Sequence, residues 1–272
     1  MYHPYSHKLR CNQAAARRRG MTLAELIAVS TILVIMAGAM STLAIGVQES
    51  NQFNHQRGVS LQHGQVTLQR IQRSLTSAKA NGTFPAFLVF AETVGTQQYP
   101  DTLVVWNPTA APVNPDGLPI MNELVVYCPN PSNPTELWEI TAPNDSRTAP
   151  NPLNTSQWRT ELAYLKTNSN VQRVVLTNML RTAQSSNGVR GVIRFELRLK
   201  PSVTEWVQYF GGSRSWQNMS WAQGIYGSTT GLQHVWCRFE FQLRTGDTTD
   251  NSREAAIPFF GSGTVMYEMQ KP

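Results

Sequence analysis

Cysteine is scarce in this chain of 272 residues: three are present, at positions 11, 128 and 237, and no two form a CxxC pair. That excludes a disulfide scaffold and the common zinc-binding spacings. Charge is also sparse, at 15%. Acid is absent from residues 1–20, which hold Lys8, Arg10, Arg17, Arg18 and Arg19 and so carry +5 of the formal +6. The 18 basic and 17 acidic residues that follow leave +1. The high isoelectric point therefore belongs to the first twenty residues, and no nucleic-acid partner is expected of the body. Proline is missing from Tyr5 through Phe84. Also missing are a GxSxG elbow, an HExxH pair and a Walker loop, so the sequence points to no enzyme, no cofactor and no metal ion.

What is present is enough apolar material, 41% of residues, to exclude disorder and fill one medium core. Part of it lies in one block. From Leu26 to Gln48 there are 23 residues without a charge, about 34 Å of helix against a hydrocarbon layer of about 30 Å. Arg17, Arg18 and Arg19 lie just before the block and predict a cytoplasmic N-terminus with the C-terminal body carried across the membrane. The run is too long for the apolar region of an ordinary signal peptide. A plain signal anchor fits better, except at Glu25. A carboxylate in a membrane helix needs a partner, and residues 21–48 contain no Lys, Arg or His. A cut after Gly20 would free the amine of Met21, on the same chain or on a packed neighbour, to serve as that partner.

The stretch Arg17-Arg18-Arg19-Gly20-Met21-Thr22-Leu23-Ala24-Glu25-Leu26 resembles the type III signal of type IV pilins and type II secretion pseudopilins. The resemblance is strong over residues 17–50. It implies cleavage between Gly20 and Met21 by a prepilin peptidase, N-methylation of Met21, and pairing of Glu25 with the N-terminal amine of an adjacent subunit during assembly. It further implies other pilin or pseudopilin subunits, an inner-membrane assembly platform and membrane lipid as partners. Met stands at mature position 1 where Phe is commoner. Thr42 stands near mature position 22 where many members carry Pro, which puts the family's helix kink in question.

The helix is expected to continue beyond the membrane. Val59, Val66, Leu68, Ile71, Leu75 and Ala78 recur at mixed spacings, with steps of three and four residues across the last four. Gly58 and Gly64 predict a soft or kinked stretch, and Asn81-Gly82 a stop. After Phe84 the texture changes. Ten of the sixteen prolines fall between 108 and 152, which predicts loops, with short β-type runs between them at 102–106, 123–127 and 136–140. GVIRFELRLK and VWCRFEFQLR alternate apolar and polar residues with period two, as strands with one buried and one wet face do. Segments 205–210 and 264–269 are weaker strand candidates, and 158–182 reads as helix, strand or both. The fold class is thus α+β: a long N-terminal helix, membrane-spanning in its first half, packed on a β-rich antiparallel head. The divisions are leader 1–20, membrane half 21–48, soluble amphipathic half 49–81 and periplasmic head 82–272. This layout is similar to the pilin fold. Its size favours a minor subunit, and its strand order loosely resembles the J-type minor pseudopilin. The expected role is a minor pseudopilin of type II secretion in the inner membrane. The alternatives are a type IV minor pilin used in adhesion or DNA uptake, and a membrane-anchored enzyme with a coincidental leader.

Other candidates are bland. His55 and His63 are eight apart on the helix without a nearby acid or Cys, and His234 begins a strand. Asp247, Asp250 and Glu254, and Asp101 elsewhere, lie in polar segments without EF-hand spacing; these read as solvated turns. Trp206, Tyr209, Phe210, Trp216, Trp221 and Tyr226 form an aromatic insertion between two strong strands, either core or a contact loop. Cys128 and Cys237 remain either a disulfide of an oxidising compartment or two separate buried thiols.

Overall fold

The computed structural model describes residues 20–94, 97–185, 188–222, 227–245 and 256–271. The chain divides into two units, residues 1–52 and 53–272, with the helix α1 (Leu23–Ser77) contributing to both. The run is helical through Gly58 and Gly64, so the expected interruption is not there. Thr42 lies within the same unbroken helix.

In the first unit every described residue of the helix is exposed. Its hydroxyls are nonetheless satisfied within the helix. Ser30 and Thr31 donate to the carbonyl of Ile27 at 2.9 and 2.8 Å, Ser41 to Ala37 at 2.8 Å and Thr42 to Ala39 at 2.9 Å. Such back-bonding removes the cost of carrying hydroxyls in an apolar environment.

The second unit is built on an antiparallel five-stranded meander, β1 (Phe87–Val94), β2 (Gln97–Trp106), β3 (Leu124–Pro129), β4 (Leu137–Thr141) and β5 (Gln172–Thr177), paired in chain order. One face carries Leu88, Val104, Trp106, Val126, Cys128 and Ile140 against Trp158, Leu162 and Leu165 of α2 (Thr155–Thr167). The other face carries Phe87, Leu103, Val105, Tyr127 and Leu137 against Ile71 and Leu75 of α1 and the inner face of a second sheet. Burial on both faces explains why LVVW and LVVY read as continuous apolar runs and not as alternation. The region left open between helix and strand is both: α2, then β5.

The second sheet has the order β10–β9–β8, from β8 (Ile193–Lys200), β9 (Thr230–Arg244) and β10 (Ala256–Gln270). Phe195, Val235, Cys237, Phe239, Phe241, Leu243 and Phe259 point inward, while Arg194, Arg198 and Arg238 stay exposed. A small hairpin, β6 (Thr182–Ser185) with β7 (Gly188–Gly191), precedes β8. Helix and second sheet touch closely. A Cβ at Gly263 would lie 2.4 Å from Leu75 Cβ, and one at Gly64 would lie 2.0 Å from the Phe259 ring. Glycine is required there because backbone takes the place of side chain.

Two expectations need adjustment. Segment 205–210 is not a strand but belongs to a helix, α3 (Val203–Phe210). Its start is a capping box: Ser202 Oγ accepts from Glu205 N at 3.3 Å, and Glu205 Oε2 accepts from Ser202 N at 2.8 Å. The helix α1 ends at Ser77, before Asn81-Gly82. Lys79 N donates instead to Trp106 O at 2.9 Å and Asn81 N to Phe84 O at 3.0 Å. Asn81 Oδ1 then accepts from Thr83 N and Phe84 N, which makes Asn81-Gly82 a side-chain-stabilised turn.

Candidate functional site

The residues that carry chemistry by sequence, Gly20, Met21 and Glu25, lie at the start of α1, and all three are exposed. Glu25 occupies the first turn. Its Oε2 accepts from Thr22 N at 2.9 Å and from Thr22 Oγ1 at 3.1 Å, while Glu25 N donates to Thr22 Oγ1 at 3.3 Å. Thr22-Leu23-Ala24-Glu25 is a reciprocal capping box. The acid that the sequence leaves without a cation therefore has local donors, and it lies at the positive end of the helix dipole. Threonine followed three residues later by glutamate was the signal for this arrangement. Gly20 precedes the box, and among the described residues nothing lies within 4 Å of where its Cβ would be.

The apolar run after Glu25 stays exposed, with Leu33 at 60% and Ile35 at 66%. Its helix is long and apolar enough to cross a membrane. A soluble surface rarely exposes so long a stretch.

Elsewhere the candidate residues are tied into structure. Cys128 and Cys237 are free thiols, both buried, in different core clusters, so the structure does not bring them together. Burial pushes each thiol up to about 12. Asp101 is buried beside Glu92, Lys166 and Arg190. Lys166 Nζ meets Glu92 Oε1 at 2.5 Å, and Arg190 Nη1 meets Glu92 at 2.7 Å and Asp101 at 3.3 Å. Burial opposes ionisation of Glu92, but Lys166 and Arg190 outweigh it and lower its pKa. Asp101 is raised, by burial first and then by Glu92. This network ties α2 and the β6–β7 hairpin to the meander; it was not foreseen from sequence, because its members are scattered from 92 to 190. Asp247, Asp250 and Glu254 lie outside the described residues, as does Tyr226. Among the described residues no three His, Cys, Asp or Glu side chains converge as a metal-binding group, and His55 and His63 are in no such group.

The aromatic insertion folds on itself. Trp216, Met219 and Trp221 form a small core of their own, with Trp206 and Tyr209 packed against it. Trp216 Nε1 donates to Gly227 O at 3.0 Å and Trp221 Nε1 to Trp216 O at 3.1 Å. Val203, Trp206, Val207 and Phe210 of α3 line an apolar groove of about 460 Å³ together with Leu153.

No family model, curated protein or solved structure matches the chain.

Proposed function

We propose that this protein is a minor pseudopilin: a structural subunit that is anchored in the inner membrane, trimmed after Gly20 by a prepilin peptidase, N-methylated at Met21, and incorporated at or near the tip of a short periplasmic pseudopilus of type II secretion. The observation that carries the reading is the order RRRG-MTLAE followed by 23 uncharged residues. In support, the run is a single exposed helix that continues into the core of a β-rich head. The same features suit a type IV minor pilin, but the +1 charge of residues 21–272 disfavours a DNA-uptake role, since DNA affinity rests on many cation–phosphate contacts.

In this reading Glu25 has three successive partners. Before assembly Thr22 holds the carboxylate. After the cut, the new amine of Met21 lies beside the same carboxylate, and in a filament the amine of a neighbouring subunit replaces it. Exchange of neutral donors for a cation strengthens the interaction inside lipid, where charge is poorly screened.

Co-expression with an active prepilin peptidase tests the proposal. The expected result is a mass lower by residues 1–20 and higher by one added methyl group, both changes abolished by Gly20→Ala. An unchanged mass beside an active enzyme would refute it. Glu25→Ala is expected to insert and be cleaved but to stay out of filaments, scored by cross-linking to neighbouring subunits.

A further inference from the structure

The apolar groove beside α3 carries polar groups in its lining that the rest of the fold leaves unmatched. It measures about 460 Å³, lies wholly within the second unit, and has no Asp, Glu, Lys, Arg or His side chain in its lining. Its apolar wall includes Leu153, Val207 and Phe210, which stay 79%, 66% and 68% exposed, together with Leu199 and Met269. Gln233 also lines the groove, is 4% exposed, and stands directly opposite Tyr267 in the β9–β10 ladder. Its Nε2 donates to Pro201 O at 3.1 Å, but its Oε1 has no donor among the described residues. The Tyr267 hydroxyl and the Trp206 indole N–H, both in the same lining, likewise have no partner among the described residues. Burial raises the pKa of the Tyr267 phenol with no hydrogen bond contributing, so the hydroxyl keeps its proton and can donate. Buried polar atoms are nearly always bonded, and one left open beside a cavity marks a position for a ligand atom.

These features select the occupant. A charged ligand meets no opposite charge in the lining. Water can meet the open oxygen but gains nothing from the apolar wall. An acyl chain covers the wall but leaves the oxygen unmatched, and a sugar brings many hydroxyls that the wall cannot bond. A peptide segment with apolar side chains has both parts. Its backbone supplies an N–H for Gln233 Oε1 and a C=O for the Tyr267 hydroxyl, while its side chains cover the wall. We infer that the groove beside α3 binds an uncharged, apolar peptide segment of a partner protein, its backbone amides held by Gln233 and Tyr267 and its side chains set against Leu153, Val207 and Phe210. The inference rests on the head alone and is independent of whether residues 1–20 are removed.

The test is calorimetric titration of the full chain held in phospholipid nanodiscs, with empty discs as the blank. The probe is an acetylated and amidated hexapeptide of alternating serine and leucine. Saturable binding is expected, and replacing the leucines by aspartates is expected to abolish it. Val207→Asp, at an exposed position, puts a charge on the apolar wall and is expected to weaken binding roughly tenfold without changing the melting curve of the head. Tyr267→Phe keeps the ring and removes the donor, so a roughly fivefold loss of affinity is expected. No saturable binding, equal binding of the aspartate peptide, or undiminished binding by the Val207→Asp chain would each overturn the inference. So would full affinity in Tyr267→Phe, or tighter binding of a neutral oligosaccharide, cellohexaose, than of the leucine peptide.

Discussion

Thr22 and Ser202 do the same work at opposite parts of the chain. Each precedes a helix, and each exchanges hydrogen bonds with a glutamate three residues on. The spacing T-x-x-E or S-x-x-E marks both helix starts in the sequence. Cys128 and Cys237 show the limit of residue-level reading. Whether two cysteines meet depends on the sheets that carry them, and these lie in different clusters. Both thiols are expected to resist a thiol reagent at neutral pH while the head is folded, because burial holds them up to about 12, and to react fully in denaturant; a colorimetric thiol assay checks this. Lys166, with its side chain 10% exposed, holds Glu92. Lys166→Met is expected to destabilise the head by about 1–3 kcal/mol in urea unfolding, less than for a fully buried pair because Glu92 is partly solvated.

At the scale of elements, α3 is held by its first residues more than by its packing. Burial works to raise the Glu205 carboxyl, but hydrogen bonds from Ser202 and Ser220 outweigh it and bring the pKa down to about 2. Arg214 also pairs with this carboxylate. A lowered folded-state pKa means that the carboxylate's contribution to stability is fully present above about 4.5 and is lost as pH falls toward 2. Tryptophan fluorescence is therefore expected to report loosening of the insertion across that window. Glu205→Gln should show the loosened signal already at pH 7 and flatten the acid response. The helix α1 and β10 meet through absent side chains, so Gly263→Ala, whose methyl would press on the Leu75 backbone-proximal carbon, is expected to cost about 1–3 kcal/mol by overpacking. Thermal melting of the variant measures it.

For the whole molecule, the helix is exposed in one unit and part of the core in the other. Ile71 and Leu75 are fully buried in the main cluster, and Ser60 Oγ donates to Arg244 O at 2.8 Å. A chain beginning at Phe53 is expected to fold, soluble, with the near-ultraviolet circular dichroism of the intact head. One beginning at Asn81, which lacks those side chains, is expected to lose that signal; purification and spectra of both chains decide the matter.

Sequence by itself determined what depends on neighbours along the chain. These are the cationic first twenty residues before an uncharged 23-residue run, the helix that follows, the alternation of β8 and β9, and the Pro-rich loops between 108 and 152. Periodicity, charge and backbone chemistry act over a few residues and are written locally. β1, with FLVF at its start, is as apolar as its neighbours, and burial on both faces of the meander leaves no alternation to mark it. Only tertiary structure decided that Cys128 and Cys237 stay apart, that Lys166, Arg190, Glu92 and Asp101 converge, and that Gly64 and Gly263 let helix and sheet touch. Each of these depends on which surfaces a three-dimensional packing sets together, and residues far apart in the chain carry no local mark of the partner they will meet.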